Sequence, residues 1–191
     1  GGTSMVFPSA EHSRFVHSLG VYEITRQMTE LEQVKKHLTD YERLTVLCAA
    51  LLHDLGHGPF SHSFEGIFQY NHEKMTTALI RGHTEVHEVL TQIDPRLPED
   101  VASIIEKKAD KPMLVQMISS QVDADRMDYL LRDSYNCGVT YGQFDLSRIL
   151  RTMRIVDDRI VFKLSGVQAI EDYILARYYM YWQVYYHPVS R

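Results

Sequence analysis

The sequence is poor in the features that mark secreted, membrane-spanning or nucleic-acid-coating proteins. Its two cysteines, Cys48 and Cys137, have no CxxC spacing, so neither a disulfide framework nor a cysteine metal site is expected. No apolar run approaches the roughly 20 residues of a membrane-spanning helix. The formal net charge of -5 argues against a strong nucleic-acid surface. We therefore expect a cytoplasmic protein without a membrane partner.

The length and the ends of the chain set its expected organisation. With 191 residues, of which 45% are hydrophobic, the chain suits one domain spanning residues 1–191. It starts Gly1-Gly2-Thr3 without an initiating Met, and an aromatic helix runs almost to its last residue. We interpret the chain as a piece of a longer polypeptide that is truncated at both ends.

The hydrophobic pattern predicts an almost all-α protein with one small β-hairpin near residues 151–164. Ser9, the capping box Thr39–Glu42 and the capping box Ser165–Gln168 mark helix starts. Pro112 begins the longest central helix, and Asp157-Asp158 forms the hairpin turn. The predicted helices span about 10–30, 40–54, 64–68, 71–81, 84–93, 98–107, 113–133 and 166–186.

A histidine-rich stretch follows the second of these helices. His53, Asp54, His57 and His62 fall within ten positions, directly after the apolar run that ends at Leu52. A lone His-Asp pair is commonly a hydrogen-bonded structural couple. Three histidines and a carboxylate so close together instead favour a site that binds a metal ion or a ligand.

A second polar cluster lies at 123–133, where a charged helix face exposed to solvent is the simpler interpretation. An apolar stripe beside it lets the polar face point into a pocket, with Asp125, Tyr129 and Asp133 four apart on one side. Together with His17 on the first helix, Asp125 could complete a nitrogen and oxygen site for one divalent ion, Mn, Mg, Fe or Zn.

The order His17, His53-Asp54, Asp125 resembles the signature of HD-domain metal phosphohydrolases. The strings HSRFVHSLGV (12–21), HDLGHGPFSH (53–62), NHE (71–73) and DADRMDYLLRD (123–133) are similar to one branch, the deoxynucleoside triphosphate (dNTP) triphosphohydrolases. The resemblance implies an all-α HD-domain fold and cleavage of dNTPs to deoxynucleoside and inorganic triphosphate. It also implies a homo-oligomer, dimer or tetramer, and a possible nucleotide activator.

The same resemblance implies a role for each matching residue. Glu65 and His72 match the acid/base pair, with His72 as general acid and Glu65 as the group that orients it. Arg14 and Arg126 match phosphate clamps. The implied metal ligands are His17, His53, Asp54 and Asp125, and the remaining implied substrate contacts are His57, His62, Tyr129, Asp133 and Tyr185.

Two other functions stay open from the residues alone. The metal site could serve a phosphodiesterase or nucleotidase that acts on another phosphate ester. The same pocket could also belong to a non-catalytic module that senses nucleotides or binds single-stranded nucleic acid. Inorganic triphosphate as a product would distinguish the first interpretation from both.

Overall fold

A computed structural model describes residues 2–58 and 71–187 of the chain. This part is mainly α-helical with one two-stranded antiparallel sheet, so the predicted fold class is confirmed. A 3-10 turn at Gly2–Met5 opens it and a π-helical turn at Tyr181–Tyr185 ends it. The helices are α1 (Arg14–Glu30), α2 (Glu32–Lys35), α3 (Asp40–Leu52), α4 (His72–Arg81), α5 (Glu85–Ile93), α6 (Leu97–Ile105), α7 (Pro112–Ile118), α8 (Ala124–Cys137), α9 (Leu146–Thr152) and α10 (Val167–Met180), and the strands are β1 (Met153–Val156) and β2 (Arg159–Phe162).

The centre of the fold is the packing of α1 against α3 and α8. Met28 of α1, Val46 of α3, and Met127 and Leu130 of α8 are all fully buried in one core cluster. Burial of each such side chain contributes about 1.5–3 kcal/mol, so this packing fixes the three helices relative to one another. The first turn of α1, the end of α3 and the start of α8 are thereby held together.

The hairpin forms where the sequence predicts it. Met153 pairs with Phe162 and Val156 pairs with Arg159. Asp157 and Asp158 have φ angles of 50° and 55°, as a two-residue turn with both central residues left-handed requires.

The predicted helix from 113 to 133 is wrong, because the structure divides it into α7 and α8. The Asp123 side chain accepts hydrogen bonds from the Arg126 and Ser120 backbone N–H groups, both at 2.7 Å. Asp123 thus caps α8 and also holds the preceding turn, which competes with a continuous helix. The break matters for the site because it starts α8 one residue before Asp125.

Two helix starts also differ from prediction. Ser13, rather than Ser9, caps α1 by accepting from Val16 N–H at 3.2 Å, while the Ser9 hydroxyl donates to the Asn136 carbonyl. The predicted capping box at Ser165 does not form, because Leu164–Gly166 is a 3-10 turn and Gly166 precedes α10 without a side-chain cap. Of the two predicted capping boxes, the one at Thr39 is confirmed and the one at Ser165 is wrong.

Within the described ranges, every helix is too short or too polar to cross a bilayer. The predicted helix at 64–68 lies outside the described residues.

The turn after α3 is held closely against α4. Gly56 N–H donates to Thr76 Oγ1 at 2.8 Å, and that hydroxyl donates to the His53 carbonyl at 3.2 Å. A Cβ on Gly56 would lie 2.4 Å from both the His72 carbonyl oxygen and the Thr76 backbone nitrogen. Only a residue without a side chain allows this approach.

We therefore expect Gly56→Ala to destabilise the protein by about 1–3 kcal/mol, because backbone atoms of α4 must move. Chemical denaturation measures this free energy of unfolding. The matched control is Gly138→Asn, since Gly138 has φ 66° with open space around it and Asn tolerates that conformation. A Gly56→Ala protein as stable as the parent would contradict the close approach.

Candidate metal centre

Three helix ends bring the four predicted metal ligands together. His17 lies in the first turns of α1, His53 and Asp54 follow α3, and Asp125 lies in the first turn of α8. His17 Nε2 is 3.1 Å from Asp125 Oδ1 and 3.9 Å from Asp54 Oδ2. His53 Nε2 is 3.4 Å from Asp54 Oδ1 and 3.8 Å from Asp125 Oδ1. Residues far apart in sequence thus form one compact donor set.

The hydrogen bonds of the two imidazoles turn their Nε2 atoms toward this set. His53 Nδ1 donates to the Ala50 carbonyl at 2.9 Å, and His17 Nδ1 donates to Asp128 Oδ2 at 2.8 Å. His53 Nε2 is buried and makes no hydrogen bond to any other residue that the structure describes. A buried nitrogen facing carboxylates fits a divalent cation, and the mixed nitrogen and oxygen donors suit Mn, Fe or Zn.

The charges of the centre also favour binding of a cation. Burial lowers the pKa of His17, but the Asp125 and Asp128 carboxylates outweigh it and raise this pKa to about 9. Burial likewise opposes ionisation of Asp125, yet His17 and His53 hold its pKa below the ordinary value. The carboxylates therefore stay ionised and attract positive charge, as a cation site requires.

Behind His17 lies a supporting ion pair that the sequence analysis missed. Asp128 accepts from His17 and, through both oxygens, from Arg132 Nε at 2.8 Å and Nη2 at 2.7 Å. A Cβ on Gly20 would lie 1.8 Å from Asp128 Oδ1, so the missing side chain makes room for the pair. The signal was present in the helical spacing, since Asp128 follows Asp125 by three residues and precedes Arg132 by four.

A wall of side chains lies beside the metal centre. It consists of Tyr129 and Asp133 of α8 and Tyr185 of the π-helical turn. Tyr185 Oη donates to Asp133 Oδ2 at 2.7 Å, and the rings of Tyr129 and Tyr185 meet edge to face with centroids 6.1 Å apart. His12, which the sequence analysis did not assign, lies with Nε2 2.6 Å from Asp133 Oδ1. Both carboxylate oxygens of Asp133 thus have hydrogen-bond partners, which hold the wall together.

The two predicted phosphate clamps have different surroundings. Arg14 donates to Asp54 Oδ2 at the metal centre. Arg126 donates to Asp123 and to the Ser120 carbonyl. Arg126 also lines a cavity of about 600 Å³ whose lining contains none of the four metal ligands. The structure places Arg14 at the candidate metal centre, and a phosphate contact stays a prediction for both arginines.

His57 and His72 also lie close to Asp54. Their rings stack with centroids 3.9 Å apart, and His57 Nε2 is 3.5 Å from Asp54 Oδ1. Glu65 and His62, the remaining predicted site residues, lie outside the described residues.

Comparisons with known proteins identify the family of the chain. The HD domain model matches residues 14–133, and the HD associated region model matches residues 144–191. Because the first model covers more than half of the chain, the chain belongs to the HD-domain family.

Relatives and solved structures extend the comparison. An uncharacterised Bacillus subtilis protein, YwfO, is 57% identical over 192 residues, which cover 100% of this chain and 44% of that protein. The Dictyostelium discoideum homologue of the dNTP triphosphohydrolase SAMHD1 is 32% identical over 207 residues, covering 100% of this chain and 40% of that protein. A Bacteroides thetaiotaomicron phosphohydrolase structure has a TM-score of 0.87 at 36% identity, covering 100% of this chain and 46% of that one. The chain thus spans less than half the length of these relatives.

The pair formed by Asp128 and Arg132 yields a prediction for metal affinity. We expect Asp128→Asn to weaken Mn²⁺ binding about 10- to 100-fold. The reason is that the neutral amide lacks the negative charge with which the Asp128 carboxylate accepts from His17 Nδ1 and orients the His17 ring. Competition with a chelator measures the affinity. Asp172→Asn, an exposed carboxylate on α10, is the control. Unchanged affinity in Asp128→Asn would show that His17 is oriented by other contacts.

Proposed function

We propose that residues 1–191 form a catalytic domain that hydrolyses dNTPs to deoxynucleoside and inorganic triphosphate, with one divalent metal ion in the centre formed by His17, His53, Asp54 and Asp125. The observation that carries the proposal is the continuity of this centre with the wall of Tyr129, Asp133 and Tyr185. Asp125 and Asp133 are eight residues apart on α8, about 12 Å along its axis. A phosphorylated sugar is long enough to contact both, whereas a phosphate ion is not.

The chemistry at the phosphate end follows from the donor set. A bound divalent ion would polarise a phosphoryl oxygen and lower the pKa of water. His17 and His53 present Nε2 to it, and Asp54 and Asp125 supply the oxygen ligands. The Arg14 guanidinium, beside Asp54, places a positive charge where it attracts the negative oxygens of the triphosphate.

The chemistry at the sugar end follows from the wall. Asp133 has lone pairs left to accept a hydrogen bond from the 3′ hydroxyl while His12 and Tyr185 hold it in place. Burial raises the pKa of Tyr129, and burial with Asp133 raises that of Tyr185, so both phenols stay protonated. In this proposal the Tyr129 ring packs beside the sugar and excludes a 2′ hydroxyl, which would select deoxyribose.

The names of the SAMHD1 relatives support the choice of substrate, since those proteins are dNTP triphosphohydrolases by name. Assembly into a homo-oligomer and activation by a nucleotide belong to the same proposal. The exposed rings of Tyr178, Tyr179 and Trp182 on the last helical segment offer an apolar surface for such assembly.

Product analysis tests the proposed reaction. Full-length protein is incubated with each dNTP and with GTP, with and without Mn²⁺, and the products are separated by anion exchange. We expect inorganic triphosphate and deoxynucleoside from dNTPs, no hydrolysis of GTP, and no product from His53→Ala because a metal ligand is lost. Release of single phosphate would instead indicate a nucleotidase, and binding without any product would indicate a sensor.

A single substitution tests the sugar contact. We expect Asp133→Asn to reduce kcat/KM for a dNTP about 10- to 100-fold, as loss of a charge-assisted hydrogen bond does. The reduction should be much smaller for the 2′,3′-dideoxy analogue, which has no 3′ hydroxyl. Steady-state kinetics with both substrates measures the two ratios. Equal reductions would contradict the contact, because they would indicate a general disturbance of the pocket.

A further inference from the structure

We infer that the cavity between α7, the turn before α8 and β2 binds a small organic phosphate, at a site separate from the metal centre. Its volume of about 600 Å³ lies within the roughly 300–1,000 Å³ that is usual for pockets that bind small organic ligands. The described residues that line it include none of the four metal ligands and none of the three residues of the wall. A ligand in this cavity would therefore be bound by a different set of side chains.

Hydrogen bonds between distant segments hold the elements around the cavity together. Met113 N–H donates to the Asp158 carbonyl at 2.8 Å, which ties the start of α7 to the hairpin. Tyr173 Oη donates to the Gln121 carbonyl at 2.8 Å, which ties the turn before α8 to α10. The cavity is thus formed before a ligand arrives, so little ordering of the chain opposes binding.

Two glutamine side chains of the lining have their oxygen atoms already engaged. Gln116 Oε1 accepts from the Ile160 backbone N–H at 2.9 Å, and Gln121 Oε1 accepts from Arg177 Nη1 at 3.1 Å. Because both partners can only donate, they fix which end of each amide is the oxygen. Neither Nε2 group makes a hydrogen bond to another residue that the structure describes, so both are left as donors for a ligand.

Ser120 and Arg126 add further donors to the lining. Ser120 Oγ accepts from Val122 N–H at 3.3 Å, which leaves its own O–H to donate. Arg126 uses Nη1 for Asp123 and the Ser120 carbonyl, and its Nε and Nη2 groups bond to no other described residue. A phosphoryl group has three terminal oxygens that each accept hydrogen bonds, so it matches this set of donors better than a carboxylate does.

The charge around the cavity also favours an anion. Arg126 pairs with Asp123, and Lys107 Nζ, on the lining, is 2.9 Å from Glu73 Oε1. Arg177, which contacts Gln121, forms no ion pair with a carboxylate in the described part of the chain. One positive charge is therefore left beside the cavity to attract a phosphate.

The remaining side of the cavity is apolar. Ile160 and Phe162 are two residues apart on β2, so their half-buried side chains lie on the same face of the strand. Such a face packs against a sugar or a planar ring. The ligand is therefore a phosphate monoester that carries a ring, rather than free inorganic phosphate.

This inference does not rest on the proposed dNTP reaction. It gives Arg126 a ligand other than the substrate triphosphate that the family resemblance implies. A protein that hydrolyses no dNTP can still bind a phosphate monoester in the cavity, and an active protein can fail to do so.

Calorimetric titration with AMP tests the inference. Full-length protein is titrated in EDTA, which prevents metal-dependent binding and hydrolysis, with AMP, adenosine or inorganic phosphate. We expect AMP to bind at least about 10-fold more tightly than either of the others, because it alone has both the phosphoryl group and the ring. Absence of AMP binding, or equally tight binding of adenosine or inorganic phosphate, would overturn the assigned ligand class.

Two substitutions remove the donors while keeping the engaged oxygens. Gln116→Glu and Gln121→Glu each retain an oxygen for the existing partner but place a carboxylate where the ligand needs an N–H. We expect each to weaken AMP binding at least about 10-fold. Gln92→Glu, which adds the same charge at an exposed position on α5, is the matched control and should bind AMP like the parent. His53→Ala should also bind AMP like the parent, because it alters only the metal centre.

The opposite pattern would place AMP elsewhere. Unchanged binding in Gln116→Glu and Gln121→Glu, or loss of binding in His53→Ala, would contradict a site in the cavity.

A crystal structure of the unmutated protein with AMP covers the case in which a variant does not fold, as circular dichroism would reveal. We expect phosphoryl oxygens within hydrogen-bond distance of Gln116 Nε2 and Gln121 Nε2. AMP bound at the metal centre alone, or at neither place, would refute the site.

Discussion

The structure depends on the meeting of several carboxylates and imidazoles at three helix ends. Asp54 and Asp125 are mostly shielded from water and repel one another, so each needs cationic or donor partners to stay ionised there. His17, His53 and Arg14 provide those partners within the described chain. The core between α1, α3 and α8 holds these groups in place, because residues such as Met127 and Leu130 are completely buried just beside them.

This arrangement explains why α8 is the central element of the site. One face of α8 carries Asp125, Tyr129 and Asp133 at successive turns, while Asp128 lies behind His17. A single rigid helix thus supports both the cation end and the sugar end of the proposed pocket. Any shift of α8 along its axis would move Asp125 and Asp133 together, so both ends of the proposed pocket would change at once.

Much of this could be predicted from the sequence because it depends on local chemistry. The fold class, the hairpin turn at Asp157-Asp158 and the capping box at Thr39 follow from patterns within a few residues. The break between α7 and α8 could not be predicted so well. There, the apolar pattern is compatible with a continuous helix, whereas the Asp123 side chain can cap a new one. Neither feature by itself predicts whether the helix continues or breaks.

The sequence by itself determined which residue types are available for metal and phosphate chemistry, and that His17, His53, Asp54 and Asp125 form a suitable donor set. Tertiary structure alone decided how those donors are supported and oriented. Asp128 orients the His17 ring by accepting from its Nδ1, His12 holds Asp133 from 121 positions away, and Gly56 brings α4 and its His72 beside His57. The physical reason is that hydrogen bonds and close backbone approaches between distant segments depend on how the helices pack, and no short sequence pattern encodes that packing.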